Sequence, residues 1–410
     1  TLQSGVIEMF LTHWLQAISA RSSTRPSVRR RQGRNLRQTV TDSPARQIRC
    51  IELLEDRTLL TSLFQGELLP DAGLAPLDTD QSGSAVAVSG DWLVVGIPNA
   101  DPAGIDNAGA VTLYTRNDSG TPDDQTDDSW DYHSTLVSPR ADNTDQDLFG
   151  TSVAIDGDTL LIGAIGADEG DTFGSAYLFR RNEQGTASNL SDDTWDALAT
   201  LSRPVALAND AAEDFGLAVD LKGNTAVVGA QLDSYGAAAS SGAVYVFTTD
   251  DDWATVSVDQ LKAGDASADA WLGSAVAISQ DETTIIAGAV QDQGKGAAYL
   301  FERSSNGAGV ADDTWGEIKK LSGTTGSDLG SAVDIDDRYA AVGAAGDTYG
   351  GSVSILDDSQ SWNIVEKLRA SEYPNSTDSG GFGAAVSIAG MSLVVGDPLS
   401  NGSTGAAYLF

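Results

Sequence analysis

The sequence predicts an all-β fold, a β-propeller of four-stranded antiparallel blades, and three observations carry that expectation. One block of residues recurs six times between residue 82 and the last residue, 410. The first five copies are each followed by two further runs of strand length and the sixth by one, and the repeats contain no segment with helical periodicity. Self-similarity at about 55–65 residues with four strands per unit is the pattern of radially repeated sheets.

The block reads SGSAVAVSGDWLVVG at 82–96, FGTSVAIDGDTLLIG at 149–163 and FGLAVDLKGNTAVVG at 215–229. It returns as LGSAVAISQDETTIIAG at 272–288, LGSAVDIDDRYAAVG at 329–343 and FGAAVSIAGMSLVVG at 382–396. The glycines of the opening pairs, at 83, 150, 216, 273, 330 and 383, are spaced by 67, 66, 57, 57 and 53 residues. The length differences fall in polar connections.

Within a repeat the first run, such as Thr151 to Asp156, alternates with period 2, as a strand with two different faces requires. Asp156-Gly157-Asp158 or Lys222-Gly223-Asn224 then supplies a tight turn, because Gly, Asn and Asp tolerate positive φ. The second run (Leu93 to Gly96, Leu160 to Gly163, Leu393 to Gly396) is apolar on both faces and suits an interior strand. The third is Gly-x-Ala/Val-Tyr-Leu/Val-Phe at 174–179, 242–247, 296–301 and 405–410. The fourth opens on Trp and closes on Leu: Trp130 to Leu136, Trp195 to Leu201, Trp253 to Leu261, Trp315 to Leu321 and Trp362 to Leu368. Small residues dominate the first strand, which must crowd the axis, and aromatic residues dominate the outer strands, where blades splay apart. The opening Phe149, Phe215 and Phe382, or Leu272 and Leu329, are expected to pack between neighbouring blades as core residues.

The sixth repeat reaches only its third strand. The run LFQGELL at 63–69 is expected to pair with it as the missing fourth strand and close a six-bladed ring without a free edge. A truncated seven-bladed ring is the alternative. The blades begin near 82, 149, 215, 272, 329 and 382, and the propeller domain is assigned to residues 61–410.

The charge divides the chain in two. Residues 1–60 hold ten Arg, no Lys and five acids, whereas the remaining 350 residues hold 14 bases and 54 acids. Residues 1–60 are therefore expected to be a basic, mostly disordered leader, because self-repulsion and low hydrophobicity oppose a packed core. The 5–19 segment is amphipathic but interrupted by Glu8 and His13, and no run reaches the ~20 apolar residues of a membrane span. Met9 is a candidate start. The acidic body argues against nucleic acid as a partner. A single cysteine, Cys50, excludes an intramolecular disulfide and a Cys-rich zinc site, and two histidines leave little for imidazole chemistry.

Two resemblances follow from particular residues. Ile51-Glu52-Leu53-Leu54-Glu55-Asp56-Arg57-Thr58-Leu59-Leu60-Thr61 resembles the Leu-Glu-Pro-Arg-x-Leu-Leu motif of planctomycete surface and secreted proteins, with Asp56 in place of the usual Pro. The opening Phe-Gly together with Gly163-Ala164, Gly229-Ala230, Gly288-Ala289 and Gly343-Ala344 resembles the FG-GAP repeat, which builds the N-terminal propeller of integrin α chains. The second resemblance covers roughly 82–410 and implies a propeller with an extracellular binding or adhesion role.

Integrin-type repeats often carry a calcium loop. The nearest string is Asp78-Thr79-Asp80-Gln81-Ser82-Gly83, but Ser89 stands where an EF-hand needs a bidentate Glu, so calcium is not expected there. Acids also precede the Trp strands: Asp127-Asp128, Asp192-Asp193, Asp250-Asp251-Asp252, Asp312-Asp313 and Asp357-Asp358. The favoured reading is solvated turn acids that keep the outer hairpins soluble, with weak calcium binding as the alternative. His133 lies in the first Trp strand and is expected to be structural. No nucleophile elbow, HExxH helix or phosphate loop is present. No residue is assigned as catalytic, cofactor-binding or metal-ligating, and no cofactor is expected.

The sequence therefore points to a secreted or cell-surface binding or adhesion module, not an enzyme, that presents loops such as 97–109 and 230–241 to a protein or carbohydrate ligand. A carboxylate-dependent hydrolase or lyase on a propeller scaffold and a passive cell-envelope component are the alternatives.

Overall fold

The computed structural model describes residues 68, 80–120, 128–140, 146–166, 174–185, 189–204, 214–234, 238–305, 307, 309, 313–348, 350–369, 381–400 and 405–410. The basic leader, Met9, the 51–61 motif and, apart from Leu68, the 63–69 run lie outside the described residues.

Six antiparallel sheets follow one another along the chain, each in sequence order from its innermost to its outermost strand. Blade 1 comprises β1 (Ala85–Ser89), β2 (Trp92–Ile97), β3 (Ala110–Asn117) and β4 (Ser129–Leu136). Blade 2 comprises β5 (Phe149–Asp156), β6 (Thr159–Ala164), β7 (Ser175–Asn182) and β8 (Thr194–Leu201). Blade 3 has β9 (Phe215–Lys222), β10 (Thr225–Ala230), β11 (Ala243–Thr248) and β12 (Ser257–Leu261). Blade 4 has β13 (Leu272–Ile278), β14 (Thr284–Ala289), β15 (Ala297–Ser304) and β16 (Thr314–Ser322). Blade 5 has β17 (Leu329–Ile335), β18 (Tyr339–Ala344), β19 (Ser352–Asp357) and β20 (Asn363–Arg369). Blade 6 shows three strands among the described residues: β21 (Ala385–Ala389), β22 (Ser392–Asp397) and β23 (Ala406–Leu409).

The second strands are buried along their whole length in blades 1 to 4, as a run apolar on both faces requires. Two of the outermost strands start later than their tryptophans. Trp253 and Trp362 have φ of 67° and 56°, so each sits in a left-handed turn one or more residues before its strand, with the indole still buried. At Trp253 the turn is held by Thr249 Oγ1, which accepts the Asp251 and Trp253 amides at 3.2 and 3.0 Å. A side-chain acceptor that close competes with sheet pairing and postpones the strand.

The Phe-Gly and Gly-Ala pairs meet at the seams between blades. Gly150 adopts φ +94°, and its carbonyl would lie 2.1 Å from a Cβ on Gly96 of the preceding blade. The pairs Gly163/Gly216, Gly229/Gly273, Gly288/Gly330 and Gly343/Gly383 repeat that approach at 2.0 Å. Parallel bridges from Gly109 to Phe149, Gly174 to Phe215, Gly242 to Leu272, Gly296 to Leu329 and Gly351 to Phe382 stitch the same five seams. Phe149, Phe215 and Phe382 are fully buried there, with Phe215 set 5.5 Å from Tyr245 and edge-on to Phe247 at 6.0 Å. Burying such a side chain contributes about 2–3 kcal/mol.

No seam of this kind joins blade 6 to blade 1 among the described residues. A methyl group on the α-carbon of Gly396 would meet Ala385 of its own sheet at 3.3 Å, and no glycine carbonyl makes the close approach of the other seams. On this side the apolar face of blade 1 (Val86, Val88, Leu93, Val95 and Tyr114) packs against Leu68. In the second-to-third and third-to-fourth seams, Leu201 and Leu261 at the ends of β8 and β12 pack against the next blade's aromatic residues.

Candidate ligand-binding face

Antiparallel order places the connections from second to third strand, and from fourth strand to the next blade, on one face of the disc. Second-to-third connections run from seven residues (290–296) to twelve (98–109 and 231–242). The expected loops at 97–109 and 230–241 are thus on this face, and they are knitted to the following blade. The backbone amides of Gln146, Leu148 and Phe149 donate to the carbonyls of Asp106, Asn107 and Ala108. Asp269, Trp271 and Leu272 donate likewise to Ala239, Ser240 and Ser241.

Beneath these loops lies a buried polar network that repeats from blade to blade. Asp233, three residues past β10, accepts Arg203 Nη1 at 2.8 Å, Tyr245 Oη at 2.6 Å and Gln260 Nε2 at 2.8 Å. Both side chains of the Arg203–Asp233 pair are 1% exposed. One blade on, Lys320 donates to Asp265 and Asp292 at 2.7 Å each, and Tyr299 Oη donates to Asp265 at 2.8 Å. In blade 5, Asp347 takes Lys367 and the Ser352 hydroxyl, both at 2.7 Å. Burial pushes Asp265 and Asp347 upward, but their bonds to lysine and to hydroxyl donors outweigh it and hold both below the ordinary carboxylate range. Burial raises the Tyr299 phenol, with the Asp265 carboxylate adding to the rise. These bonded groups act as posts under the loops.

The acid runs ahead of the outermost strands require a correction. Asp128, Asp193 and Asp313 are buried, not solvated. Asp128 accepts Arg116 at 2.9 Å, Asp193 accepts Arg181 at 3.0 Å, and Asp313 lies 3.7 Å from Arg303. Arg116 and Arg181 also bind the first-turn acids Asp91 and Asp158, so one guanidinium ties the inner hairpin to the outer one. Asp251 accepts Thr255, and Asp357 caps the Ser359 amide while pairing with Arg338. Asp192, Asp250, Asp251, Asp252 and Asp358 are exposed as expected, and Asp252 pairs with Arg180 of the preceding blade. Asp127 and Asp312 lie outside the described residues.

His133 is half-buried, packs edge-on to Trp92 at 4.8 Å and has its Nδ1 2.8 Å from the Ser134 hydroxyl. Burial lowers its basicity. In the Asp78–Gly83 string Asp80 is buried, and Asp78 and Thr79 lie outside the described residues. Among the described residues no three His, Cys, Asp or Glu side chains converge as metal ligands. A shallow groove on the rim of blade 2 is lined by Asp158, Arg180, Arg181, Glu183 and Asp196, and its arginines are already paired with carboxylates.

Sequence reasoning missed two groups. The post acids Asp233, Asp292 and Asp347 each stand three residues after the Ala of a Gly-Ala pair, a spacing visible in the sequence. Asp220 and Asp334 are charged residues inside the first, axial strand, where the register otherwise places Ala or Ser.

Residues 130–179, 204–247 and 255–301 match the family model of the FG-GAP repeat, and each matched stretch ends in the third strand of a blade. No curated protein matches the chain. Among solved structures, a periplasmic gluconolactonase from Pseudomonas aeruginosa is similar at 13% identity and TM-score 0.47, over 80% of this chain and 84% of that one. A candidate 6-phosphogluconolactonase from Bacteroides uniformis is similar at 11% identity and TM-score 0.47, over 76% and 77%. A hypothetical selenium-binding protein from Sulfolobus tokodaii is similar at 10% identity and TM-score 0.43, over 77% and 68%. No helix among the described residues is long and apolar enough to cross a membrane.

Proposed function

From the premise that this chain carries FG-GAP repeats on a six-bladed propeller, we propose that it is an extracellular or cell-surface binding module that engages a protein or glycan through its loop-bearing face. FG-GAP repeats are typical of extracellular and cell-surface proteins. The observation that carries the reading is the construction of this face: connections of seven to twelve residues, bonded from blade to blade and propped on buried ion pairs. A rigid frame under loops of differing length lets a surface be shaped for a partner without disturbing the fold. Exposed Asp106 and Asp269 give the face acidic points, suited to a neutral glycan or a basic protein patch and unsuited to polyanions.

The full chain, immobilised and probed with glycan and extracellular-protein arrays, should give saturable binding. Replacing 102–106 by Gly-Ser linkers of equal length should abolish it while leaving the thermal transition in place. Binding that survives that change but is lost on altering the blade rim would overturn the face, and turnover of a polysaccharide or phosphoester would overturn the binding-only reading.

A further inference from the structure

Every blade begins with the same turn at the loop-bearing end of its innermost strand. The residue before the opening pair is left-handed in all six. Its φ is 58° at Gln81, 53° at Leu148, 49° at Asp214, 61° at Trp271, 51° at Asp328 and 138° at Gly381. Each of these residues accepts, at 2.9–3.2 Å, the amide three residues further on. Innermost strands surround the axis, so the six positions ring the mouth of the central channel. The turn fixes the backbone and asks nothing of the side chain, since Gln, Leu, Asp, Trp and Gly all serve. The side chain is left to be chosen for what meets it from outside.

Trp271 uses that freedom in a way the fold does not explain. Seven tryptophans are described, and Trp92, Trp130, Trp195, Trp253, Trp315 and Trp362 each pack in a hydrophobic cluster. Trp271 belongs to none of these clusters. It is half-buried, and its indole makes no hydrogen bond, ring contact or cation contact among the described residues. The blades on either side place half-buried carboxylates at the same position, Asp214 in blade 3 and Asp328 in blade 5. Asp214 accepts Gln231 Nε2 at 2.9 Å through one oxygen, and the Asp328 carboxylate has no partner among the described residues. Exposed amides stand close by in sequence: Gln291 and Gln293 in the blade 4 connection, which exposed Lys295 closes, and Gln146 ahead of blade 2.

We propose that Trp271 is the stacking platform of a glycan site at the channel mouth, where an uncharged sugar ring lies on the indole and its hydroxyls bond to Asp214, Asp328 and the neighbouring glutamines. The proposal rests on the loop-bearing face being the binding face, and it names the ligand class. A pyranose presents C–H groups on its faces and hydroxyls around its edge, which suits an aromatic plane bordered by polar groups. Hydroxyls donate and accept. Carboxylates can accept from them, and glutamine amides can do both. A lysine side chain needs acceptors alone and would leave the amide donors unused, while the acids at the mouth repel a polyanion.

The test uses the full chain labelled with fluorotryptophan, in which the fluorine signal lost in Trp271→Leu belongs to that residue. Leucine holds this position in blade 2 as Leu148, so the variant should fold with its thermal transition in place. Uncharged tetrasaccharides of gluco, manno, galacto and xylo configuration, and tetralysine, are titrated in turn. At least one tetrasaccharide should shift the Trp271 signal saturably, and Trp271→Leu should weaken its binding at least about tenfold. A signal that answers only tetralysine, or none of the probes, would overturn the glycan site. Array binding that the 102–106 replacement abolishes and Trp271→Leu leaves intact would overturn it too, while the loop-bearing face stood as the binding face. Should Trp271→Leu not fold, Trp271→Phe assigns the signal and the titration decides.

Discussion

A methyl group on the α-carbon of Gly163 would stand 2.0 Å from the carbonyl oxygen of Gly216 in the next blade. The Phe-Gly and Gly-Ala pairs of the repeat are thus the two halves of one contact, made not within a repeat but between consecutive ones. Gly163→Ala has only backbone and Ser152 to push against, so it should destabilise by about 3 kcal/mol or more. Gly90→Ala, where φ is +59° and nothing lies within 4 Å, should cost only about 1 kcal/mol. Urea denaturation of the two variants checks the ordering, and equal losses would contradict the seam account.

Phe215 is fully buried between blades 2 and 3, among Leu201, Tyr245 and Phe247. Phe215→Ala should lower stability by about 3–5 kcal/mol, and Phe215→Leu by much less, because blades 4 and 5 open on Leu272 and Leu329 at the same place. Calorimetric Tm values for both variants measure the difference.

Arg203 and Asp233 are each 1% exposed and bond at 2.8 Å. Asp233→Ala or Arg203→Ala alone strands a buried charge and should cost about 3–5 kcal/mol. Arg203→Ala combined with Asp233→Ala should cost less than the sum of the single changes. A double-mutant cycle by equilibrium unfolding reports the coupling, and strict additivity would mean the pair is not a post.

Leu68 packs on the apolar face of blade 1 formed by Val86, Val88, Leu93, Val95 and Tyr114. Leu68→Ala should cost about 2 kcal/mol, comparable to Leu201→Ala. A loss confined to a few tenths of a kcal/mol would show that the face of blade 1 does not rely on it.

The strands were legible because each repeats a pattern with a physical meaning: alternation in β5, unbroken apolarity in β6, aromatic residues in β7 and β8. The late starts of β12 and β20 were not legible, because they depend on turns in which Trp253 and Trp362 take positive φ. The burial of the acid runs is hidden for a related reason. Asp128 and Asp193 look like any turn acid until Arg116 and Arg181, twelve residues earlier in the chain, are folded back beside them.

The sequence by itself determined the all-β repeat, the order of strands within a blade and the opening residues that pack between blades, since these follow from local periodicity repeated six times. Only the tertiary structure decided which glycines touch, which carboxylates are buried with a base, and that Asp220 and Asp334 share the axis. Those are relations between blades about sixty residues apart, and proximity across a seam is set by how the sheets pack around the axis, which no local pattern encodes.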